Sequence, residues 1–298
     1  MRIYLFLVTS VLYAPLSLAQ PEITNKNNVT VNKHKNQQPV TNDKVSSVLF
    51  PTDQLYTEYI ANPLRSTFSA QTLFFDKTSI ANTSLRRFSL KVGGRLGIYR
   101  RIYSQFAWQI TLNGGFHGQF DAEQSQDNIG WDGLYGMSFD IRTSDSLAYR
   151  LAVHHTSSHI GDEIAERTGR KRINYTRQET RAGIMWTFIP KWTSYAEIAY
   201  GHDLREKSLQ RPWRAELGLQ HEKPQYFSEQ IGWYMALDLS SYEESNWDIN
   251  TTVQMGIVST LNKRKWRFGF EYYDGRAQLG EFFQDTERYI GIGLWIDI

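Results

Sequence analysis

The chain ends in Tyr289-Ile290-Gly291-Ile292-Gly293-Leu294-Trp295-Ile296-Asp297-Ile298, and this stretch decides the fold. Successive side chains of a β-strand point to opposite faces, so one face would carry Ile290, Ile292, Leu294, Ile296 and Ile298. The other face would carry Tyr289, Gly291, Gly293, Trp295 and Asp297. A C-terminal strand with one wholly apolar face is typical of a sheet whose outside meets lipid, and it indicates a transmembrane β-barrel.

The same alternation recurs upstream from about residue 66. Leu147, Tyr149, Leu151 and Val153, for example, alternate with Ala148, Arg150, Ala152 and His154. The pattern predicts twelve strands, at about 66–76, 85–99, 105–117, 131–142, 147–158, 174–188, 193–203, 211–221, 230–240, 249–259, 264–273 and 288–298. A soluble barrel with its charged residues outside is the alternative.

The connections between these strands alternate between short and long, as in outer-membrane barrels with short periplasmic turns and longer outer loops. The short ones lie near residues 101, 143–146, 190–191, 223–224 and 261–263. Tryptophans fall near strand ends, as an aromatic girdle requires: Trp131, Trp186, Trp192, Trp213, Trp247 and Trp266. We therefore predict an all-β fold, an antiparallel transmembrane β-barrel of about 12 strands with a disordered N-terminal segment.

The bulk composition fits this prediction. The 298 residues carry a net charge of +2 and no cysteine, which excludes disulfides and thiolate metal sites and gives no reason to expect nucleic acid as a partner. After the N-terminus, no stretch approaches the roughly 20 apolar residues of a spanning helix. The mean hydropathy of −0.49 suits a barrel, which hides its apolar residues in alternation.

The N-terminus reads as a targeting region. Arg2 precedes an apolar run over residues 3–16, and Ser17-Leu18-Ala19 is a small-x-small cleavage site. Residues 1–19 are thus a predicted signal peptide, 20–48 a disordered polar periplasmic linker, and 49–298 the barrel domain. Such a protein would be exported to the outer membrane of a Gram-negative bacterium and would meet the barrel insertion machinery there.

A polar cluster, His154 to Glu163, lies at the outer end of the fifth strand. Alternation places His155 and Ser157 on the lipid face, where the imidazole would take the Ser157 proton as general base. Outer-membrane phospholipase A and lipid A deacylase barrels resemble the chain in this short motif alone. The third group would be Gln178 on the next strand, because Glu179 faces the lumen unless a one-residue bulge intervenes. The alternative is a polar strand rim.

Three other groupings of polar residues also have possible roles. His154, His159, Asp162 and Glu163 match no specific metal motif, so no metal site is predicted, and calcium is expected only if the protein is a hydrolase. Arg167, Arg170, Lys171 and Arg172 would suit lipopolysaccharide phosphates, or form a solvated basic loop. Glu179 with Arg177 and Arg181, opposite Arg150 and His154, reads as luminal ion pairing.

Three segments resemble a bacterial family catalogued as domain of unknown function 1207. They are residues 59–65, Tyr-Ile-Ala-Asn-Pro-Leu-Arg, then residues 155–163, and residues 172–177, Arg-Ile-Asn-Tyr-Thr-Arg. The resemblance spans about residues 49–298 and implies an envelope protein with a barrel-like domain, without an established activity.

The sequence therefore favours an outer-membrane protein that contacts membrane lipids and lipopolysaccharide, either structural or a narrow pore, since side chains largely fill a barrel of this size. The alternative is an outer-leaflet lipid hydrolase, an acyl esterase that uses Ser157, His155 and Gln178. The sequence does not define the substrate or the oligomeric state.

Overall fold

The segments that alternate between apolar and polar residues form a closed wall of twelve antiparallel strands in the computed structural model. The structure describes residues 45–262 and 264–297. A short strand, β1, precedes the wall and covers Ser46–Leu49. The wall strands are β2 Phe68–Thr78, β3 Arg86–Ile102, β4 Ala107–Asp121, β5 Asn128–Arg142, β6 Leu147–Ile160, β7 Thr176–Ile189, β8 Trp192–Leu204, β9 Trp213–Lys223, β10 Ile231–Tyr242, β11 Ile249–Leu261, β12 Arg264–Arg276 and β13 Thr286–Ile296. All twelve predicted strands are confirmed, and each pairs with its neighbours in sequence.

The wall closes where β13 pairs with β2, from Ile296 opposite Phe68 to Glu287 opposite Thr78. Connections at one end are mostly short, while those at the other end include the 15 residues of 161–175 between β6 and β7. We call the end with the longer connections the outer end. Within the described residues, no helix is long and apolar enough to cross a membrane.

The two faces of the wall have opposite chemistry. Leu151 and Val153 point outward and are 56% and 47% exposed, while their neighbour His154 points inward and is 5% exposed. The predicted soluble alternative is wrong, because large apolar side chains cover the outside and ionic side chains fill the interior. This inversion is what a lipid-facing barrel requires.

The N-terminal part of the barrel domain differs from the prediction of a disordered linker followed directly by the first wall strand. Strand β1, in part within the predicted linker, pairs with Tyr99–Ile102 of β3, and β2 pairs with Arg86–Lys91 along the same edge of β3. The intervening chain leaves the wall and lies in the lumen. We call residues 51–67 the plug. The predicted signal peptide and linker residues 20–44 lie outside the described residues.

Long connections close the outer end. A short helix, α1 (Asp162–Thr168), forms in the predicted β6–β7 loop and ends at Gly169, whose φ of 65° favours glycine. Six buried residues from the outer connections and the start of β5 pack together, and we call them the outer cap: Ile80, Ile129, Ile164, Ala277, Leu279 and Phe282.

The connection 277–285 crosses the mouth of the barrel. The Gly280 N–H donates to the Asp132 carboxylate at 3.1 Å, and the Glu281 N–H donates to Ser158 Oγ at 2.8 Å. Asp132 lies on β5 and Ser158 on β6, five and six positions around the twelve-strand ring from β12. The connection therefore spans the lumen from one side of the wall to the other.

Candidate functional site: the plugged lumen and the outer rim

Wall cations hold the plug by its backbone carbonyls. Arg95 Nη1 donates to Tyr56 O at 3.0 Å, Arg142 Nε to Leu55 O at 2.9 Å, and Lys91 Nζ to Pro63 O at 2.7 Å. A buried carbonyl without a partner destabilises the fold by about 1–3 kcal/mol, so these bonds allow irregular backbone to lie inside the barrel.

Aromatic contacts fix the middle of the plug. The Tyr59 ring stacks on Tyr195 of β8 with 3.7 Å between centroids and 3° between planes. Its hydroxyl lies 2.5 Å from that of Tyr56 and donates to Glu197 Oε2 at 3.3 Å. Burial, and then the negative charge of Glu197, raise the pKa of Tyr59 well above its usual value, so the hydroxyl keeps its proton as donor.

An ionic lock fastens the C-terminal end of the plug. Arg65 of the plug pairs with Asp297, which also accepts from Arg267 Nη1 at 2.8 Å. Burial raises the pKa of Asp297, but Arg267 and Arg65 outweigh this effect and hold it well below the usual range. The carboxylate is therefore charged at every physiological pH.

Ion pairs fill the lumen beyond the plug. Glu179 accepts from Arg177 at 2.7 Å, from Arg181 at 2.6 Å and from Arg214 at 3.2 Å. Arg214 also bonds Glu197 at 2.6 Å and pairs with Glu216, which accepts from the plug residue Asn62. The predicted luminal role of Glu179 is confirmed, while Arg150 pairs with Asp140 instead.

On the outside, the structure places the three candidate catalytic residues close together without linking them. His155 and Ser157 point outward as predicted, and Gln178 lies directly opposite His155. His155 stacks on Tyr135 at 4.5 Å, its Nδ1 has no hydrogen-bond partner, and Gln178 Nε2 donates to Asp203 at 2.8 Å. Within the described part of the chain, no hydrogen bond joins Ser157 to His155.

A bulge does lie beside this site, but in β8. The pairing of β7 with β8 shifts between Gln178 and Glu179, whose partners are Asp203 and Gly201. The skipped residue is therefore His202, and Glu179 stays in the lumen. The nearby carboxylate is Asp203, which accepts from Gln178 and interacts electrostatically with His155, but no described hydrogen bond joins Asp203 to the imidazole.

A family model matches residues 17–297, nearly the whole chain, under the description "Protein of unknown function (DUF1207)". The chain belongs to the DUF1207 family. The resemblance seen in the three sequence segments is thereby confirmed. A search of curated proteins found no match.

Outer-membrane barrels are among the solved structures similar to this DUF1207 protein. Outer membrane phospholipase A from Escherichia coli has a TM-score of 0.51 and 9% identity, over 81% of this chain and 93% of that one. The Salmonella typhi phospholipase dimer with bound calcium has a TM-score of 0.51 and 10% identity, over 82% and 95%. The KdgM porin has a TM-score of 0.45 and 7% identity, over 78% and 99%. The phospholipase similarities show that this DUF1207 chain shares the β-barrel fold of those proteins.

The basic connection of this DUF1207 chain is tied into its own outer end. Arg167 pairs with Asp127 at 2.7 Å, and Arg170 pairs with Asp285 at 2.7 Å. Arg172 Nη2 lies 2.5 Å from His159 Nδ1, while Lys171 is exposed. Three of the four cations proposed to bind lipopolysaccharide thus have partners within the protein.

No metal centre forms from the polar cluster. Among the residues that the structure describes, no three histidine, cysteine, aspartate or glutamate side chains come together in a way that would hold a metal ion. His154 faces the lumen, while His159 stacks on Trp131 at 4.1 Å and Asp162 begins α1.

The plug is the functional element that sequence reasoning missed. Its residues lack a strand period, and the segment 59–65 was recognised only as a family resemblance. Glycines at strand positions that face the lumen are the sequence feature that could have indicated a segment packed inside the barrel. A Cβ at Gly183 would lie 2.7 Å from the Tyr56 hydroxyl, and one at Gly218 would lie 2.0 Å from the Tyr195 ring that stacks on Tyr59.

Proposed function

We propose that this protein is a closed barrel with a structural role in the outer membrane, rather than a diffusion pore. The observation that carries the proposal is the plug, which bonds to wall strands around the lumen and to the chain end after β13. A conducting barrel needs a continuous aqueous path, and an ordered segment with bonded carbonyls occupies that path.

The electrostatics of the lumen support the same conclusion. Arg177 and Arg214 are buried and both donate to the buried Glu179, and the outer cap covers the outer end of the barrel. A permeating ion would have to displace several charge-assisted bonds, each worth about 1.5–3 kcal/mol.

Planar-bilayer recording of the refolded full-length protein tests the proposal. We expect no steady conductance from the wild type. A variant in which residues 52–64 are replaced by glycine and serine, combined with Phe282→Ala in the cap, should conduct and so show that an open barrel is detectable. Heat-modifiable migration on gels would establish that both proteins are folded. Steady single channels from the wild type would contradict the proposal and favour a narrow pore.

A lipid hydrolase is the second candidate, and it is suggested by the outward placement of His155 and Ser157 with Gln178 opposite. Acyl release from phospholipid and lipid A should be measured for the wild type and for Ser157→Ala. Calcium should be both present and absent, because a calcium-bound phospholipase from Salmonella typhi shares the fold. Activity lost in Ser157→Ala would establish the hydrolase. No release from folded wild type would reject it.

A further inference from the structure

A polar cavity of about 60 Å³ lies between the plug and the wall, on the side of β3 to β8. Its lining includes four cations and two carboxylates: Arg65, Arg95, Arg150, Arg181, Glu58 and Glu197. The cations also pair with Asp140, Glu179 and Asp297, which do not line the cavity. Two of these carboxylates also pair with arginines outside the lining: Glu179 with Arg214, and Asp297 with Arg267.

Hydrogen-bond donors without acceptors lie on residues of this lining. Arg65 Nε, Arg181 Nη2 and His154 Nε2 are buried and have no partner within the protein. Arg65 and His154 are each 5% exposed. A buried donor without an acceptor destabilises the fold, so three of them around one cavity call for a ligand.

The tautomer of His154 makes its free nitrogen a donor. Asn113 Nδ2 lies 3.5 Å from His154 Nδ1. An amide nitrogen can only donate, so Nδ1 accepts, and the hydrogen of the neutral imidazole is on Nε2. Every unpartnered buried side-chain atom on the described lining is thus an N–H group, and acceptors are what the site lacks.

We propose that this cavity binds a small oxyanion of the inorganic phosphate or sulfate class. Sulfate carries acceptors only, and phosphate at neutral pH carries acceptor oxygens with one or two hydroxyl groups. Both anions suit the excess of lining cations and match the geometry that guanidinium groups bind. The bound anion would contact the plug through Arg65 and Ser66 and the wall through His154 and Arg181, and so would fasten one to the other. This site goes beyond the proposed structural role, because a closed barrel needs no ligand.

Equilibrium dialysis with radiolabelled inorganic phosphate tests the site. The full-length protein is refolded in detergent with phosphate present, because the lumen is closed once folding is complete. We expect saturable binding of one phosphate per chain. Arg181→Gln should weaken binding by about tenfold or more, the value of one charge-assisted hydrogen bond. Arg276→Gln is the matched control, since Arg276 pairs with Glu244 and does not line this cavity.

A second variant keeps the test decisive if Arg181→Gln does not fold. Ser66→Asp places a carboxylate of the plug inside the cavity, and it should abolish phosphate binding and make the thermal midpoint independent of phosphate. Absence of saturable binding to folded wild type at millimolar phosphate would overturn the proposal. So would equal affinities for wild type, Arg181→Gln and Ser66→Asp, which would place the bound phosphate elsewhere.

Discussion

The plug and the outer cap close the same lumen by different physical means. The plug is held by arginine and lysine bonds to its carbonyls, by an ionic lock at Asp297, and by one stacked ring pair. The cap is an apolar cluster that includes Ile129, Ile164 and Phe282, each fully buried. The stabilisation from a charge-assisted hydrogen bond depends on its geometry and on the ionisation of its partners, whereas the stabilisation from apolar burial depends on the area removed from water. The two closures should therefore respond differently to mutation, pH and salt.

The largest effect is expected at the cap. Phe282→Ala removes a fully buried ring and should lower the free energy of unfolding by about 4 kcal/mol. The measurement is urea unfolding in detergent, together with chymotrypsin cleavage in the connection 277–285. Phe227→Ala, at a phenylalanine that is 64% exposed, should change stability by less than about 0.5 kcal/mol. Similar losses in both variants would mean that the cap is not a stabilising core.

The plug should respond next, and in two separable parts. Tyr59→Ala removes the ring that stacks on Tyr195 and should destabilise the plugged state by about 3 kcal/mol. Tyr59→Phe keeps the ring and loses only the hydroxyl bonds, for about 1 kcal/mol. Because the chain has no cysteine, an Ala61→Cys probe at a plug residue that is 1% exposed, together with an impermeant thiol reagent, would report plug exposure. Faster labelling in Tyr59→Phe than in Tyr59→Ala would contradict this order.

The ionic lock should show a smaller effect with a defined pH dependence. Asp297→Asn leaves Arg65 without its charged partner and should weaken plug retention by about 2 kcal/mol at pH 7, less than for a fully buried pair because Asp297 is partly exposed. The pKa of Asp297 is lowered in the folded protein. Its contribution is therefore complete above the unfolded value of about 3.9 and is lost only as pH falls through the lower folded value.

Labelling of the same Ala61→Cys probe at several pH values would check this, with each rate divided by that of the urea-unfolded chain because thiol reactivity itself depends on pH. In wild type, plug exposure should stay constant from pH 8 to about pH 5. Asp297→Asn should be more exposed over that whole range. A rise in wild-type labelling between pH 7 and pH 5 would show that a group other than Asp297 controls the plug.

The smallest effect is expected outside the lumen. Ser157→Ala should change stability by less than about 0.5 kcal/mol, because Ser157 lies on the outer rim and no described hydrogen bond connects it to His155. Urea unfolding would measure this, and planar-bilayer recording of the variant should show no steady conductance. A large loss of stability would show that the outer rim contributes to the barrel in a way that its contacts do not indicate.

The wall was predictable from sequence and the plug was not, for one physical reason. A strand face is a local property, so alternating residues such as Leu151 and His154 report their own direction. The position of Tyr59 depends on a ring in β8 and on the Glu197 carboxylate, 138 residues away, and no local period encodes such contacts. Helix α1 was missed because seven residues between two strands give too short a pattern.

The candidate catalytic residues show the same limit. Alternation correctly placed His155 and Ser157 outward and Glu179 inward. It did not indicate that Gln178 would bond Asp203, or that the arginines of the basic loop would pair with Asp127 and Asp285. Those partners come from other connections, whose paths over the barrel rim a single sequence does not define.

The lock between Arg65 and Asp297 joins residues 232 positions apart, at the seam where β13 meets β2. Thr67, the last plug residue, donates to Ile296 O at 2.9 Å at the same seam. Contacts of such long range form late in folding, because the entropy of closing the chain must be overcome first. Closure of the strand ring and fastening of the plug therefore depend on neighbouring residues at one seam, so a change that disrupts one should also weaken the other.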